Sequence, residues 1–439
     1  MKLLKDSKIL IDKLNACGFE AYAVGGAVRD FLMGKENSDI DLTTSATPSD
    51  MLKVFKDYKV ILTGVKHGTV TVVLNGKNYE ITTFRKDGGY FDNRHPNSVE
   101  YISNLHEDLK RRDFTINAMA YSEKDGVIDL FNGKEDLKNG TVRAVGNPDL
   151  RFKEDALRIL RALRFASTLN FKIEKETATA IINNAQLLKN VSVERIYSEL
   201  CGILVGKGVE EVLTNFKEVF FVIIPELKRC DGFLQKSKYH AYDVYTHIVK
   251  SVALSKSDLI VRLALFLHDI EKPSCFSVSS DGAGHFYGHQ VKSSRTAERI
   301  LKGFKADNKT IRAVTSLVYM HDTKTELPRP QIKRQMAKYG VEFLAYLTEV
   351  RIGDALSHAK PYDEGRVKSA KKYFSQVEDI IKNGECYTLK QLKVNGTDVK
   401  GLGFKGEQIS EKLNYLLNAV IDGKVKNNKQ ELLEYLNVK

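Results

Sequence analysis

The sequence predicts an α+β chain: a small mixed or antiparallel sheet in about the first 125 residues, then a mostly α-helical remainder. Three observations carry this. The runs TVTVVL and EITTF are rich in β-branched residues and are bounded by Gly and Asn, which is the pattern of antiparallel strands. Chain breakers become few after Pro148. Near the C-terminus Ile409, Leu413, Leu416, Leu417 and Val420 recur at helical spacing.

The chain has 439 residues, enough for two to four domains at roughly 100–200 residues each. Hydrophobic residues at 42% and charged residues at 28% describe a chain that can bury a core. No apolar run approaches the ~18 residues of a membrane span. Lys5, Asp6, Lys8 and Asp12 interrupt any secretory signal at the start. The five cysteines are odd in number and far apart, so the expected compartment is the reducing cytoplasm. A formal charge of +12 suggests a polyanionic partner, although excess lysine also serves as solubilising surface.

The first chemical constellation runs from Gly25-Gly26 through Arg29-Asp30 to Asp39-Ile40-Asp41. A strand that ends at two glycines and opens a helix brings backbone N–H groups close to a phosphate. Arg29 adds a cation in the first turn. Asp39 and Asp41, two residues apart, share one face of a strand. Such a pair can bridge two Mg²⁺ ions, which activate a hydroxyl and hold a triphosphate. A polar turn with solvated aspartates is the plainer alternative. Glu80 is either a third carboxylate on a neighbouring strand or an ordinary strand-edge acid.

The second constellation is a helix expected over Arg151–Phe165. At about 100° per residue, Asp155, Arg158, Arg161 and Arg164 fall on one half, and Ala156, Ile159, Leu160 and Leu163 on the other. A solvated face of i,i+3 ion pairs is one reading. The other is base selection. Cytosine and adenine both present an amino donor beside a ring-nitrogen acceptor, and uracil and guanine reverse that pattern. A carboxylate next to a guanidinium therefore suits C and A.

Several motifs in order resemble the bacterial CCA-adding enzymes, tRNA nucleotidyltransferases of the class II polymerase β-like superfamily. They are GGAVRD with DID, LTGVKHGTVTV, EITTFR, DLKRRDFTINAMAY, DLFNGKEDL, KEDALRILRALRF and VERIYSEL. The resemblance is dense over about the first 200 residues and looser beyond. It implies a nucleotidyltransferase head at 1–125, a helical neck with the nucleotide-selecting helix at 126–238, an HD phosphohydrolase-like domain at 239–360 and a tRNA-binding tail at 361–439. The implied reaction is template-independent addition of C, C and A to the tRNA 3′ end from CTP and ATP, releasing pyrophosphate. Asp39 and Asp41 would be catalytic and hold Mg²⁺. Gly26, Arg29 and Arg112 would contact triphosphate and sugar. Asp155 and Arg158, helped by Arg161 and Arg164, would select the base. The segment Lys86–Pro96 resembles the loop that CC-adding members lack. An A-adding enzyme, a poly(A) polymerase, and an HD phosphohydrolase with an RNA-binding head are the alternatives.

The middle of the chain gathers histidines and aspartates, and imidazole with carboxylate and no cysteine is a donor set suited to Mn²⁺, Ni²⁺, Fe or Mg²⁺ rather than structural zinc. It is similar to HD phosphohydrolase domains. His247, His268, Asp269 and Asp354 match the four ligand positions of those domains, and His289 and His321 match the additional pair of two-metal members. That similarity implies a second divalent metal and hydrolysis of phosphoesters such as 2′,3′-cyclic phosphates. Glu271 stands where those domains usually carry Gly, and is expected to crowd or recharge the site. In the tail, Lys400, Lys405, Lys424 and Lys426 surround a glycine-rich turn, as phosphate contacts do.

Overall fold

The computed structural model describes residues 5–35, 39–88 and 99–437. Most of the loop expected at Lys86–Pro96 lies outside the described residues. The chain divides into two compact units, Met1–Pro225 and Glu226–Lys439.

The first unit is the α+β part. Apart from a short parallel pair, Thr141–Val142 with Lys172–Ile173, its strands are β1 Ala21–Val24, β2 Asp41–Thr44, β3 Lys59–Ile61, β4 Thr69–Leu74, β5 Lys77–Thr83, β6 Arg85–Asp87, β7 Val99–Tyr101, β8 Met119–Ser122 and β9 Gly126–Asp129. Seven of them form one sheet in the order β3-β4-β5-β2-β1-β8-β9. All its pairings are antiparallel except β2 with β5, which run parallel with Leu42 opposite Ile81. The alternation read from the sequence sets the faces. Val70, Val72, Tyr79 and Ile81 enter the core, while Glu80 on β5 faces outward. Helices α1 Lys5–Ala16, α2 Gly26–Leu32 and α3 Pro48–Val54 supply Leu10, Leu14, Val28 and Met51 to that core.

Short helices α4 Leu105–Lys110 and α5 Gly133–Lys138 lead into the helical part. There α6 Pro148–Glu154 and α7 Leu157–Leu169 replace the single helix expected over 151–165. The break is at Asp155, whose backbone is extended (φ −138°, ψ 102°). Its carboxylate accepts the Leu157 N–H at 3.1 Å. A short acid that bonds its own neighbouring backbone competes with helix continuation. The helices α8 Lys175–Asn184, α9 Val193–Val205, α10 Val209–Asn215 and α11 Lys217–Ile223 complete this unit.

Helix α7 buries Leu157, Ile159, Leu160 and Leu163, and α9 packs along it. Just after α9, Gly206 has no room for a side chain. An added Cβ would lie 2.1 Å from Ser167 Oγ and 2.5 Å from the Ser167 carbonyl carbon. Gly206→Ala should therefore destabilise the unit by ~1–3 kcal/mol, read as a lower urea midpoint; an unchanged midpoint would show that this packing yields freely.

The second unit is almost entirely helical. Helices α12 Val244–Leu254, α13 Leu259–Leu267, α14 His289–Gly303, α15 Asn308–Met320, α16 Arg329–Tyr339, α17 Val341–Leu356 and α18 Tyr362–Lys382 form its main body. Helix α13 is apolar on nearly every side and is the interior element, with Val261 to Leu267 all buried. Helices α19 Gly396–Gly401, α20 Glu407–Ile421 and α21 Lys429–Asn437 follow, sharing a core of Val394, Val399, Leu416, Leu417 and Leu432. Two stretches with the polar, turn-rich composition of linkers, KRCDGFLQKS and KPYDEGR, are packed. In KRCDGFLQKS, Cys230 is buried against the Ile270 carbonyl, and Gln235 accepts from Lys272 Nζ at 2.9 Å. KPYDEGR begins α18, with Asp363 buried. Polar composition suggested linkers, but these polar groups have partners or cover within the unit. Among the described residues no helix is long and apolar enough to cross a membrane.

Candidate functional sites

In the first unit, β1 ends at Gly25, whose φ of 71° and ψ of −136° suit only glycine. The turn is also sterically occupied. A Cβ on Gly25 would sit 3.3 Å from Arg112 Nη1, and one on Gly26 would sit 3.4 Å from Arg29 Nη2. Two guanidinium groups thus stand over the glycine turn that opens α2. Arg29 is held by Asp30 through Nε (2.9 Å) and Nη2 (2.8 Å), and by Asn117 Oδ1 at 2.7 Å from Nη1. Arg112 is tethered to the buried carboxylate of Asp108 at 3.4 Å.

Beside this turn lie the acids. Ile40 is buried while Asp39 and Asp41 on either side are exposed, so the two carboxylates share a face as expected. The parallel register of β2 and β5 sets Glu80 next to Asp41. Glu80 is therefore placed as a third carboxylate, not as an isolated edge acid. The Asp41 carboxyl is raised above its ordinary value by lost hydration, then by the charges of Asp39 and Glu80, with Arg112 opposing. Its side chain still meets solvent, so the repulsion is the part that bears on chemistry. Three acids that repel one another suit a divalent cation.

The residues expected to select the base do not form one continuous face. Asp155 stands at the α6–α7 break, and its nearest cation is Arg195 of α9 at 3.2 Å rather than Arg158. Arg158 bonds Glu154 Oε2 at 2.8 Å and the Arg111 carbonyl at 3.0 Å. Arg161 makes two bonds to Asp113 Oδ2, at 2.8 and 2.6 Å, and Arg164 bonds Glu199 at 2.6 Å. Both guanidinium groups are thus held by acids of neighbouring segments. Burial alone would raise the Asp113 carboxyl, but the charge and hydrogen bonds of Arg161 hold it down at about 2. Asp113, Asn117, Arg195, Glu199 and Glu154 were not singled out from sequence. All lie inside the quoted motifs, and Arg195 and Glu199 stand at i,i+4 on α9, which was the available signal.

In the second unit six predicted ligands converge. His247 Nε2 lies 3.0 Å from Asp354 and 3.2 Å from Asp269, and His268 Nε2 lies 3.1 Å from Asp269. On the other oxygen of Asp269, His289 Nε2 is at 3.3 Å and His321 Nε2 at 3.7 Å. Asp269 thus belongs to both groups able to hold a metal, His247/His268/Asp269/Asp354 and Asp269/His289/His321. The outer ring nitrogens are anchored. Nδ1 of His268, His289 and His321 donates to the carbonyls of Leu265, Phe286 and Val318 at 2.6, 2.8 and 2.7 Å, and Nδ1 of His247 meets Ser357 Oγ at 2.8 Å. A carbonyl only accepts, so a proton sits on each of these Nδ1 atoms, and whenever such a ring is neutral its Nε2 lone pair points inward. Both Asp269 oxygens are buried and accept no hydrogen bond of ordinary geometry, although Lys272 Nζ is 2.7 Å away. Inward lone pairs around a buried carboxylate fit a divalent cation.

Burial disfavours charge throughout this cluster, yet His268 is raised by Asp269 and Asp354, and both carboxylates stay well below their usual range. A cavity of about 300 Å³ opens onto the cluster, lined also by His240, His358 and Arg366. His240 and His358 are not among the ligand positions that the sequence resemblance implies. The expectation for Glu271 is corrected: its carboxylate turns away from the ligands and bonds Arg229 (3.0 Å), Thr296 (2.8 Å) and Ser274 (2.6 Å). With three partners of its own, it neither crowds nor recharges the cluster.

Comparisons with known proteins bear on both units. Residues 21–143 match the model of the Poly A polymerase head domain. Residues 170–229 match a probable RNA- and SrmB-binding site of polymerase A, and residues 289–436 a putative tRNA nucleotidyltransferase domain 2. The CCA-adding enzyme of Ligilactobacillus salivarius is 34% identical over 435 residues, covering 97% of this chain and 94% of that one. The CCA-adding enzyme of Streptococcus gordonii is 32% identical, covering 98% and 96%. Among solved structures, the Bacillus stearothermophilus CCA-adding enzyme in complex with CTP is similar over 100% of this chain and 98% of its own, at 30% identity and a TM-score of 0.72. Identity at this level over nearly the whole of both chains, with the glycine turn, paired acids and broken helix in one unit, shows that this chain belongs to the family of CCA-adding enzymes.

Proposed function

We infer that this protein adds C, C and A to the 3′ end of tRNA without a nucleic-acid template, using CTP and ATP and releasing pyrophosphate. The observation that carries the reading is the cluster of Asp39, Asp41 and Glu80 beside the glycine turn and its two arginines. The tRNA 3′ oxygen forms the new bond to the α-phosphorus as the bond to pyrophosphate breaks. Arg29 and Arg112 grip the triphosphate over the Gly25-Gly26 turn, with the first N–H groups of α2 behind it. Mg²⁺ ions held by Asp39 and Asp41 would lower the pKa of the attacking hydroxyl and offset charge on the leaving pyrophosphate. Asp155 accepts from the amino group of C or A and Arg158 donates to the ring nitrogen, while Arg161 and Arg164 brace the helix.

The deciding experiment incubates tRNA that ends at its discriminator base with labelled CTP and ATP. Three nucleotides, C then C then A, are expected; a chain extended by A alone would overturn the reading.

The remaining assignments follow the same division: head 1–125, neck 126–238, phosphohydrolase-like region 239–360, tRNA-gripping tail 361–439, and a cytoplasmic location. The separate core of α19–α21 supports the tail, and the convergent histidines support the region before it. That region binds one or two divalent metals and hydrolyses phosphoesters. Asp269→Ala should abolish metal retention, measured by elemental analysis, along with ring-opening hydrolysis of a 2′,3′-cyclic nucleotide to its monophosphate. Full metal content in the variant would remove the assignment.

A further inference from the structure

Phe165 closes the charged run of α7 and is 5% exposed. Three guanidinium groups stand over its ring: Arg164 at 4.3 Å, Arg29 at 5.1 Å and Arg161 at 5.4 Å from the centroid. Phe114 meets the same ring edge-on at 5.7 Å. Energetically significant cation–π contacts occur roughly once per 70–80 residues, so three on one ring are more than incidental packing. The ring also joins elements distant in sequence, since Arg29 belongs to α2 and the other two to α7.

Three like charges repel unless something holds them. Each guanidinium has an acid: Asp30 for Arg29, Asp113 for Arg161 and Glu199 for Arg164. The first two are linked further. Arg29 donates to Asn117 Oδ1 at 2.7 Å, Asn117 Nδ2 donates to Asp113 Oδ1 at 3.1 Å, and Arg161 donates to Asp113 Oδ2 at 2.6 Å. A polar path therefore runs from α2 to α7, and the shared aromatic face closes it into a loop. Each acid serves one arginine, whereas the Phe165 ring lies under all three.

We propose that Phe165 is a positioning residue for nucleotide binding: its ring face holds Arg29 in register with α7, so that triphosphate and base are gripped in one frame. This rests on the reading of Arg29 as a triphosphate contact. The ring does not touch the nucleotide and acts only through the arginines.

The test replaces Phe165 in the full-length chain with mono-, di- and trifluorophenylalanine. Fluorination weakens the negative ring face stepwise with little change in size. KM and kcat for CTP and ATP are measured on tRNA acceptors, with melting temperature alongside. The expected result is a graded rise in KM, about five- to tenfold by the trifluoro ring, with kcat within about twofold. A flat KM across the series overturns the proposal, as does a loss of melting temperature and kcat that does not follow the order of fluorination. Arg29→Ala separates the two readings. If it raises KM while the fluorinated series is flat, the proposal alone fails; if it leaves KM unchanged, the triphosphate contact fails and the proposal with it.

Discussion

Asp41→Asn should cut incorporation of CMP into tRNA by about 10³-fold or more while leaving tRNA affinity within about twofold. The size follows from the several kcal/mol that divalent-ion charge stabilisation supplies, at 1.36 kcal/mol per factor of ten. The geometry adds a second, opposite expectation. Asp41 sits among Asp39 and Glu80, and its carboxyl is already raised by lost hydration and by their charges. Removing one charge from a mutually repelling set relieves the fold, so the melting temperature of the variant should stay level or rise. Activity and stability moving in opposite directions is the signature of a site kept for chemistry. Incorporation within tenfold of the parent, measured with labelled CTP under saturating substrate, would remove Asp41 from the reaction.

The second large effect concerns choice of nucleotide. Asp155→Ala should raise the ratio of UTP or GTP to CTP incorporation by about 10–100-fold, the equivalent of ~1–3 kcal/mol for a lost bidentate discrimination. Asp155 is well placed for this because it has left the helix. Its backbone is extended, one oxygen is tied to the Leu157 N–H, and the other is approached by Arg195. Arg195→Ala should therefore give a smaller loss of discrimination in the same direction, since it frees the acceptor without deleting it. Single-turnover competition between correct and incorrect nucleotides measures both variants. Unchanged ratios in Asp155→Ala would mean that the base is read elsewhere.

Much of this is legible in the sequence. Strand alternation in TVTVVL, the paired glycines, the two-residue spacing of Asp39 and Asp41 and the His-Asp pair at 268–269 are local patterns. Backbone sterics and side-chain period act over a few residues, so such patterns survive in one dimension. The head sheet, the helical body and the convergence of six histidines and aspartates in the second unit follow from them.

What the sequence determined by itself was which chemical groups the chain carries: paired acids, glycines beside arginines, and a set of imidazoles and carboxylates suited to a divalent metal. Only the tertiary structure decided which groups meet. Glu80 joins Asp41 because β2 and β5 pair in parallel, a register that neither strand encodes alone. Asp155 finds Arg195, and Arg164 finds Glu199, because α9 packs on α7. Glu271 turns from the metal cluster because Arg229, Thr296 and Ser274 surround it. Charge and hydrogen-bonding capacity are properties of a residue, but their satisfaction depends on neighbours that arrive only when distant segments fold together.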